Sequence, residues 1–339
     1  MKKNLITALK IVFFLSIGVL FIWIFVGHLS DEDIKSIFDS FRRANYWWVG
    51  LSVIIGIGSH LIRALRWQLL LHPMGYKPGL LNTFFALLIA YFANLALPRL
   101  GEVTRCGVLK KYENIPFPNS FGTVIAERAL DLLTFAVLFI VNILIQFDRI
   151  NKYVHVKIYE PLGNKFFFFN DANIVFIIVI LLAISLLLFI VVHKKLKKNK
   201  LYLKGYNVVV GFWQGLKSLS KVKRPYLFIF YTVIMWAAYF LSVYVCIFSL
   251  TETAGLSPLA PFAVLVFGTI GIMLVQGGIG IYPAIAAETL LLYGVTSLQG
   301  YAFGWLAWSA QTITIIIFGI ISLIVLPVFN RKQKVYANN

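Results

Sequence analysis

Three charged side chains stand close together in an otherwise apolar run. Glu127, Arg128 and Asp131 lie in SFGTVIAERALDLLTFAV, where each charge carries an insertion cost of about 2.5–3.5 kcal/mol if the run crosses a bilayer. Glu127 and Asp131 are four residues apart and share one face of a helix; Arg128, three before Asp131, is expected to reach it. A second group, Arg99, Glu102 and Arg105, sits in LPRLGEVTR, with Asn94 one turn earlier offering both donor and acceptor. Gln276 and Glu288 are the polar residues of a third stretch. Mixed signs suit a network around a polar cavity. Arginine suits a phosphate, because its planar fork bonds two oxygens at once. On that reading Arg99, Arg105 and Arg128 hold an anionic headgroup, while Glu102, Glu127 and Asp131 position the arginines or take a cationic headgroup or a proton. A purely structural ion-pair network is the alternative. Paired carboxylates beside arginines also permit acid–base work. Yet no histidine lies near the cluster, and neither a metal-ligand spacing nor a nucleotide loop is present. No catalytic residue, metal or cofactor is therefore assigned.

The elements that position these groups belong in a membrane. Of 339 residues, 60% are apolar and 13% charged, against about 25% charged in soluble domains. Mean hydropathy is +0.84. The formal charge of +18 comes in short pieces between apolar runs, which excludes a nucleic-acid binder and fits a multi-pass protein. Cys106 and Cys246 fit no disulfide or metal pattern. Apolar spans run over about 5–26, 46–61, 122–145, 173–192, 226–250 and 301–325. Two further stretches, 80–97 and 259–292, are interrupted by LPRLGE and QGGIG. The first span is too long for a cleaved signal peptide, and HLSDEDI follows it rather than a cleavage site.

Orientation follows lysine and arginine. Lys194–Arg224 holds ten basic residues and no acidic one, so it is expected inside, as are both termini. If 80–97 crossed fully, that segment would face outside. The conflict vanishes if residues 80 to about 112 form a re-entrant hairpin turning near Pro98 and Gly101, and 259–292 a second, entered from the opposite side and turning at Gly277, Gly278 and Gly280. The expected fold is all-α and polytopic: about six full transmembrane helices plus two re-entrant hairpins, eight hydrophobic elements in one membrane domain. Residues 1–146 and 173–326 are then two halves of an inverted repeat, joined through a basic, amphipathic linker at 193–225. Gly75-x-x-Pro78 and Gly255-x-x-Pro258 echo one another, and 23 residues beyond each leading glycine stand Pro98 and Gly278. Backbone that leaves a helix inside a bilayer survives only against protein or a wet cavity. The two bends are thus the expected lining of a shared midplane cavity, with close helix packing as the plainer role of the glycines.

Arg63 and Arg66, with Trp67, end the second span and read as snorkelling to the inner interface. Trp47 and Trp48 read as an outer anchor. Val209, Phe212, Leu216 and Leu219 recur at helical spacing among lysines, as in a helix lying on the anionic inner leaflet or docking a cytoplasmic partner.

Taken in order, Arg63–Trp67, Gly75–Pro78, Asn94–Arg105, Glu127–Asp131 and Gly277–Gly280 resemble the transmembrane region of lysylphosphatidylglycerol synthases, a family with flippase-like members and archaeal relatives linked to glycolipid-dependent glycosylation. The resemblance covers nearly the whole chain and implies movement of a phospholipid or lipid-linked headgroup between leaflets of the cell membrane. The partners it implies are membrane lipids, an anionic phospholipid or a lipid-linked sugar. The chain ends soon after its last span, so the soluble aminoacyl-transfer domain is not expected and synthase activity is not implied. Many relatives have Pro before the Gly-Gly pair and Glu after it; here Gln276 and Pro283 stand there. The competing functions are a membrane enzyme acting on a lipid phosphate or polyprenyl carrier, and a scaffold that docks a partner through 194–224.

Overall fold

A computed structural model describes residues 29–155 and 224–337, with isolated positions 16, 20, 23 and 27. Apart from those isolated positions, the span at 5–26, together with 173–192 and nearly all of the basic segment, lies outside the described residues. Every described element is helical: α1 Asp31–Arg43, α2 Tyr46–Leu71, α3 Leu80–Ala96, α4 Leu100–Glu113, α5 Phe117–Ile145, α6 Phe147–Val154, α7 Pro225–Ile247, α8 Thr251–Ala254, α9 Leu259–Leu274, α10 Ile281–Leu291 and α11 Ser297–Ala337. Four segments are long and apolar enough to cross a membrane: Tyr46–Met74, Phe117–Ile145, Pro225–Ile247 and Ser297–Arg331. Helices α3, α9 and α10 are apolar but short. At 1.5 Å per residue, α3 and α9 reach about 24–26 Å, less than a hydrocarbon core of about 30 Å.

Burial is arranged for lipid rather than water. Ile313, Ile316, Ile317, Ile320 and Ile324 of α11 are exposed, as are Val137, Ile140 and Leu144 of α5, whereas Arg63, Arg66, Arg105 and Glu127 are buried. An apolar exterior this continuous marks a surface meant for an apolar surrounding.

Helix α2 packs most extensively along α7. α3 folds back on α4 and α9 on α10, giving two helical hairpins, and α11 lies against both α3 and α10. Close approach there depends on missing side chains. A Cβ on Gly304 would sit 2.6 Å from Pro283 Cα of α10, and one on Gly319 2.5 Å from Phe92 Cβ of α3. Far from the bends, Asn82 of α3 and Asn330 of α11 exchange amide hydrogen bonds of 2.9 and 2.8 Å.

The two bends share one backbone solution. Leu100 N–H donates to Leu97 C=O (3.2 Å) and Gly278 N–H to Val275 C=O (2.9 Å). The third residue of each turn is left-handed: Arg99 at φ 64°, ψ 7° and Gly277 at φ 64°, ψ 5°. A left-handed residue at that place favours glycine. Gly277 meets the demand; Arg99 does so at a cost of about 1–2 kcal/mol. The backbone equivalence pairs Arg99 with Gly277, not Pro98 with Gly278 as the residue count predicts. Asn94 Oδ1 then accepts from Gly101 N–H (2.7 Å), capping an unpaired donor in the first turn of α4.

One boundary differs from expectation. The second span does not end near Leu61 but runs to Leu71, so Arg63, Arg66 and Trp67 are helix interior. After Ile145 the chain continues as helix α6. The first hairpin ends close to the expected residue 112: Lys111 and Tyr112 belong to α4, whose left-handed C-cap is Asn114.

Gly101 tests the tightness of the first hairpin, since a Cβ there would meet Ala90 O at 2.2 Å. Gly101→Val is expected to lower stability in detergent by at least about 1–3 kcal/mol. Gly107→Ala, with nothing within 4 Å, is expected to leave the unfolding midpoint unchanged or raise it.

Candidate functional site

The acidic pair of α5 meets three arginines from two other helices. Glu127 and Asp131 stand one turn apart on α5; Arg63 and Arg66 occupy the facing side of α2; Arg105 comes from α4. Arg63 Nε donates to Glu127 Oε1 (2.6 Å), and its Nη2 donates to Asp131. Arg66 Nη2 lies 2.6 Å from Asp131 Oδ1 and 3.2 Å from Glu127 Oε1. Arg105 Nη1 donates to Glu127 Oε2 (2.8 Å). Both Glu127 oxygens thus accept from arginine at a fully buried position.

Neutral groups complete the shell. Arg63 Nη1 donates to the Tyr239 hydroxyl and Arg66 Nη1 to Thr232 Oγ1, each at 3.3 Å, so α7 is tied in as well. The Arg105 guanidinium lies 4.6 Å from the Trp67 ring centroid, and Trp67 Nε1 donates to Thr123 Oγ1 (2.9 Å). A cation over an indole face is attracted by the ring quadrupole, more strongly when both are dry. Arg105 Nε and Nη2 and Arg66 Nε have no hydrogen-bond partner. Three guanidinium groups against two carboxylates leave the cluster one net positive charge.

In front of this cluster lies a cavity of about 800 Å³. The first hairpin contributes Asn94, Pro98, Arg99 and Glu102, and α5 contributes Arg128 and Asp131. The second bend contributes Gln276 and Gly277. The two tips touch: a Cβ on Gly277 would stand 3.3 Å from Leu95 Cδ2. Trp308 Nε1 of α11 donates to Gly277 C=O (2.7 Å), fixing the second tip. Arg128 does not reach Asp131; its Nη2 pairs with Glu102 Oε1 at 2.9 Å, and the side chain stays 42% exposed. Arg99 is exposed and forms no ion pair with any described residue. The charged lining is therefore three arginines, Arg63, Arg99 and Arg128, against Glu102 and Asp131.

Several expected site residues stand elsewhere. Arg105 and Glu127 lie behind the wall, joined to it through Arg63. Gly101 is packed against α3, and Gly278 against Ile272 and Tyr282. Gly280 carries the positive φ, 73°, that starts α10. Glu288 is exposed and accepts from the Tyr153 hydroxyl of α6. It stands six residues past the cavity-lining Tyr282, about 240° around the helix, so it faces away. Burial, and then the bond to Glu288, push the Tyr153 hydroxyl up to about 12.

Arg63 and Arg66 are the residues whose place the sequence reading missed. An arginine near the end of an apolar run reads as a boundary, but a partner acid on a neighbouring helix lets the run continue. The available clue was spacing: Arg63, Arg66 and Trp67 share one face, as Glu127 and Asp131 do. His60, Tyr91 and Trp236 also line the cavity and were not singled out as lining. Among the described residues no group of three His, Cys, Asp or Glu is placed to hold a metal.

An all-helical chain with an apolar exterior, several membrane-length helices and an ionised interior is an integral membrane protein. The family model for the lysylphosphatidylglycerol synthase TM region matches residues 7–319, and the chain belongs to that family. It is similar to a UPF0104 membrane protein of Methanocaldococcus jannaschii, 31% identical over 134 residues, covering 38% of this chain and 39% of the relative. It is also similar to glycosyltransferase AglD of Haloferax volcanii, 36% identical over 91 residues, covering 26% of this chain and 14% of the relative. A UPF0104 membrane protein of Methanothermobacter thermautotrophicus is 31% identical over 116 residues, covering 32% of this chain and 34% of the relative. These matches span well under half the length of each relative. No solved structure matches the chain.

Glu127→Gln removes the charge that three buried guanidinium groups share. It is expected to destabilise the protein in detergent by about 3–5 kcal/mol. Arg128→Ala, which breaks a half-exposed pair, is expected to cost less than about 1 kcal/mol. Chemical or thermal unfolding of both variants side by side checks the contrast.

Proposed function

We propose that this protein is a lipid translocase: it moves a phosphate-bearing lipid headgroup between leaflets through the cavity at the two hairpin tips. The observation that carries the proposal is the excess of arginine around a cavity set among apolar helices. Arg99 and Arg128 face that space, and Arg63 stands behind them with its charge partly shared. A phosphate entering there gains two forked donors: Arg99, which forms no ion pair with a described residue, and Arg128, whose described bond to Glu102 is made through Nη2. Membership of a lipid-associated family supports a lipid as the cargo. In this reading the binding set is Asn94, Arg99, Glu102, Arg128, Asp131 and Gln276, with Arg63, Arg66, Arg105 and Glu127 holding the hairpin to α2 and α5.

The matched backbone of the bends, 178 residues apart, supports two repeats inserted from opposite faces. Alternating access then comes from rocking one hairpin-bearing half against the other. Helices α3 and α9, too short to cross straight, fit re-entrant arms. In this reading the lysine and arginine distribution assigns both termini and the 194–224 segment to the cytoplasmic side of the cell membrane.

Arg99 makes the test sharp. Arg99→Gly removes the cation and relieves a left-handed turn. In proteoliposomes carrying a labelled phospholipid, it is expected to slow leaflet exchange at least tenfold while unfolding at an equal or higher midpoint. Exchange at the unaltered rate in Arg99→Gly with Arg128→Ala would overturn the translocase assignment of these residues. Topology is checked separately by single cysteines at positions 111 and 252 in intact cells. Position 111 is expected to label only from inside and 252 from outside.

A further inference from the structure

The three acids of the charged region are not equivalent. Both oxygens of Glu127 accept from arginine, and Asp131 accepts from Arg66 on Oδ1 and from Arg63 on Oδ2. Glu102 has one described partner: its Oε1 stands 2.9 Å from Arg128 Nη2. Its Oε2 is buried and has no hydrogen-bond partner among the described residues. A buried carboxylate oxygen left bare is costly; protonated, the same oxygen becomes a donor. Glu102 also stands where an incoming charge would lodge. It lines the cavity three residues after Arg99 and paired with Arg128, the two arginines offered to the phosphate. An anion held by both is a close neighbour of the Glu102 carboxyl.

The surroundings of Glu102 set the balance. The first bend supplies Arg99; α4 supplies Arg105 and Cys106, one turn on; α5 supplies Arg128 and Asp131. Across the cavity stand His60 and Arg63 of α2, Tyr91 of α3 and Tyr239 of α7, and the lining from residue 235 onward carries no charge. Before an anion enters, the arginines favour the carboxylate. A second anion beside it reverses that preference, because like charges sharing one site disfavour joint ionisation. We propose that anion and proton bind together. As a phosphate seats on Arg99 and Arg128, a proton from bulk water bonds to Glu102 Oε2, and the resulting hydroxyl donates to a phosphate oxygen. When the anion leaves, the proton returns to water. This rests on the translocase reading and names its coupling ion. A pH gradient then drives net movement of the headgroup toward the alkaline side.

The test uses dimethyl phosphate, a monoanion that does not itself titrate near neutrality, on the full-length protein in detergent. Calorimetry in two buffers of different ionisation heat counts the protons taken up per anion bound. Roughly 0.5–1 proton per anion is expected around pH 7, with affinity falling about three- to tenfold for each unit of rising pH. Glu102→Gln, which keeps the shape and donates through its amide, is expected to bind without proton uptake and without dependence on pH. His60→Gln is expected to keep both. In proteoliposomes carrying a labelled phospholipid and a pH gradient of about one unit, the protein is expected to enrich the label up to about tenfold in the leaflet facing the alkaline side, and Glu102→Gln to equalise it. Circular dichroism and elution volume establish that both variants are folded; the proton count on the unaltered protein tests the linkage without them. Anion binding without proton uptake overturns the inference and leaves the phosphate site standing. Uptake that survives in Glu102→Gln, or vanishes in His60→Gln, overturns the assignment to Glu102. Failure of dimethyl phosphate to bind at any pH removes the translocase reading and this inference with it.

Discussion

Glu127 accepts from Arg63, Arg66 and Arg105 at a position sealed from solvent, and the rest of the molecule is arranged around that fact. An unpaired ion in a low-dielectric interior is untenable, so the helices that supply these charges have no freedom to separate. Through one carboxylate, α2, α4 and α5 become a single body, with α7 attached by Tyr239 and Thr232. The cost of burying five charges is returned in fixed geometry rather than in net stability. What that geometry delivers is a first hairpin whose tip projects into a cavity from a fixed base.

Strain and satisfaction are distributed unevenly over the site. Glu127 accepts on both oxygens, while Arg105 and Arg66 keep unmatched nitrogens and Arg99 occupies a backbone conformation that glycine prefers. The corresponding place in the second bend does hold glycine. The intramolecular comparison isolates what the first bend has instead: a cation at the tip, kept against local preference. Departures from local consistency of this kind gather where a protein does its work.

Much of the architecture was legible in the sequence. Among the described residues, four apolar runs, the two interrupted stretches and their bends at Pro98 and Gly277–Gly280 appear where hydropathy and helix breakers put them. Glu127 and Asp131 were legible as a pair because their four-residue spacing is helical. Partner choice was not legible. Arg128 stands next to Asp131 in the chain and looks like its partner, yet side chains one helix over are nearer than those three residues away on the same helix. The place of Arg63 and Arg66 was hidden for a related reason: hydropathy reads each charge alone, and their pairing with α5 is a tertiary event. Glu288 was misplaced because the period of α10 matters more than its nearness to the bend.

Helix α11 presses on the backbone of α10 at Gly304 and on the Phe92 side chain of α3 at Gly319, with no side chain of its own at either point. The two contacts are fifteen residues apart, about 22 Å along one rod. A five-degree tilt of that rod about one contact sweeps the other through roughly 2 Å. The last helix is therefore a lever whose fulcrum and load are the two arms, and neither arm is able to shift by an atom's width unless the other registers it.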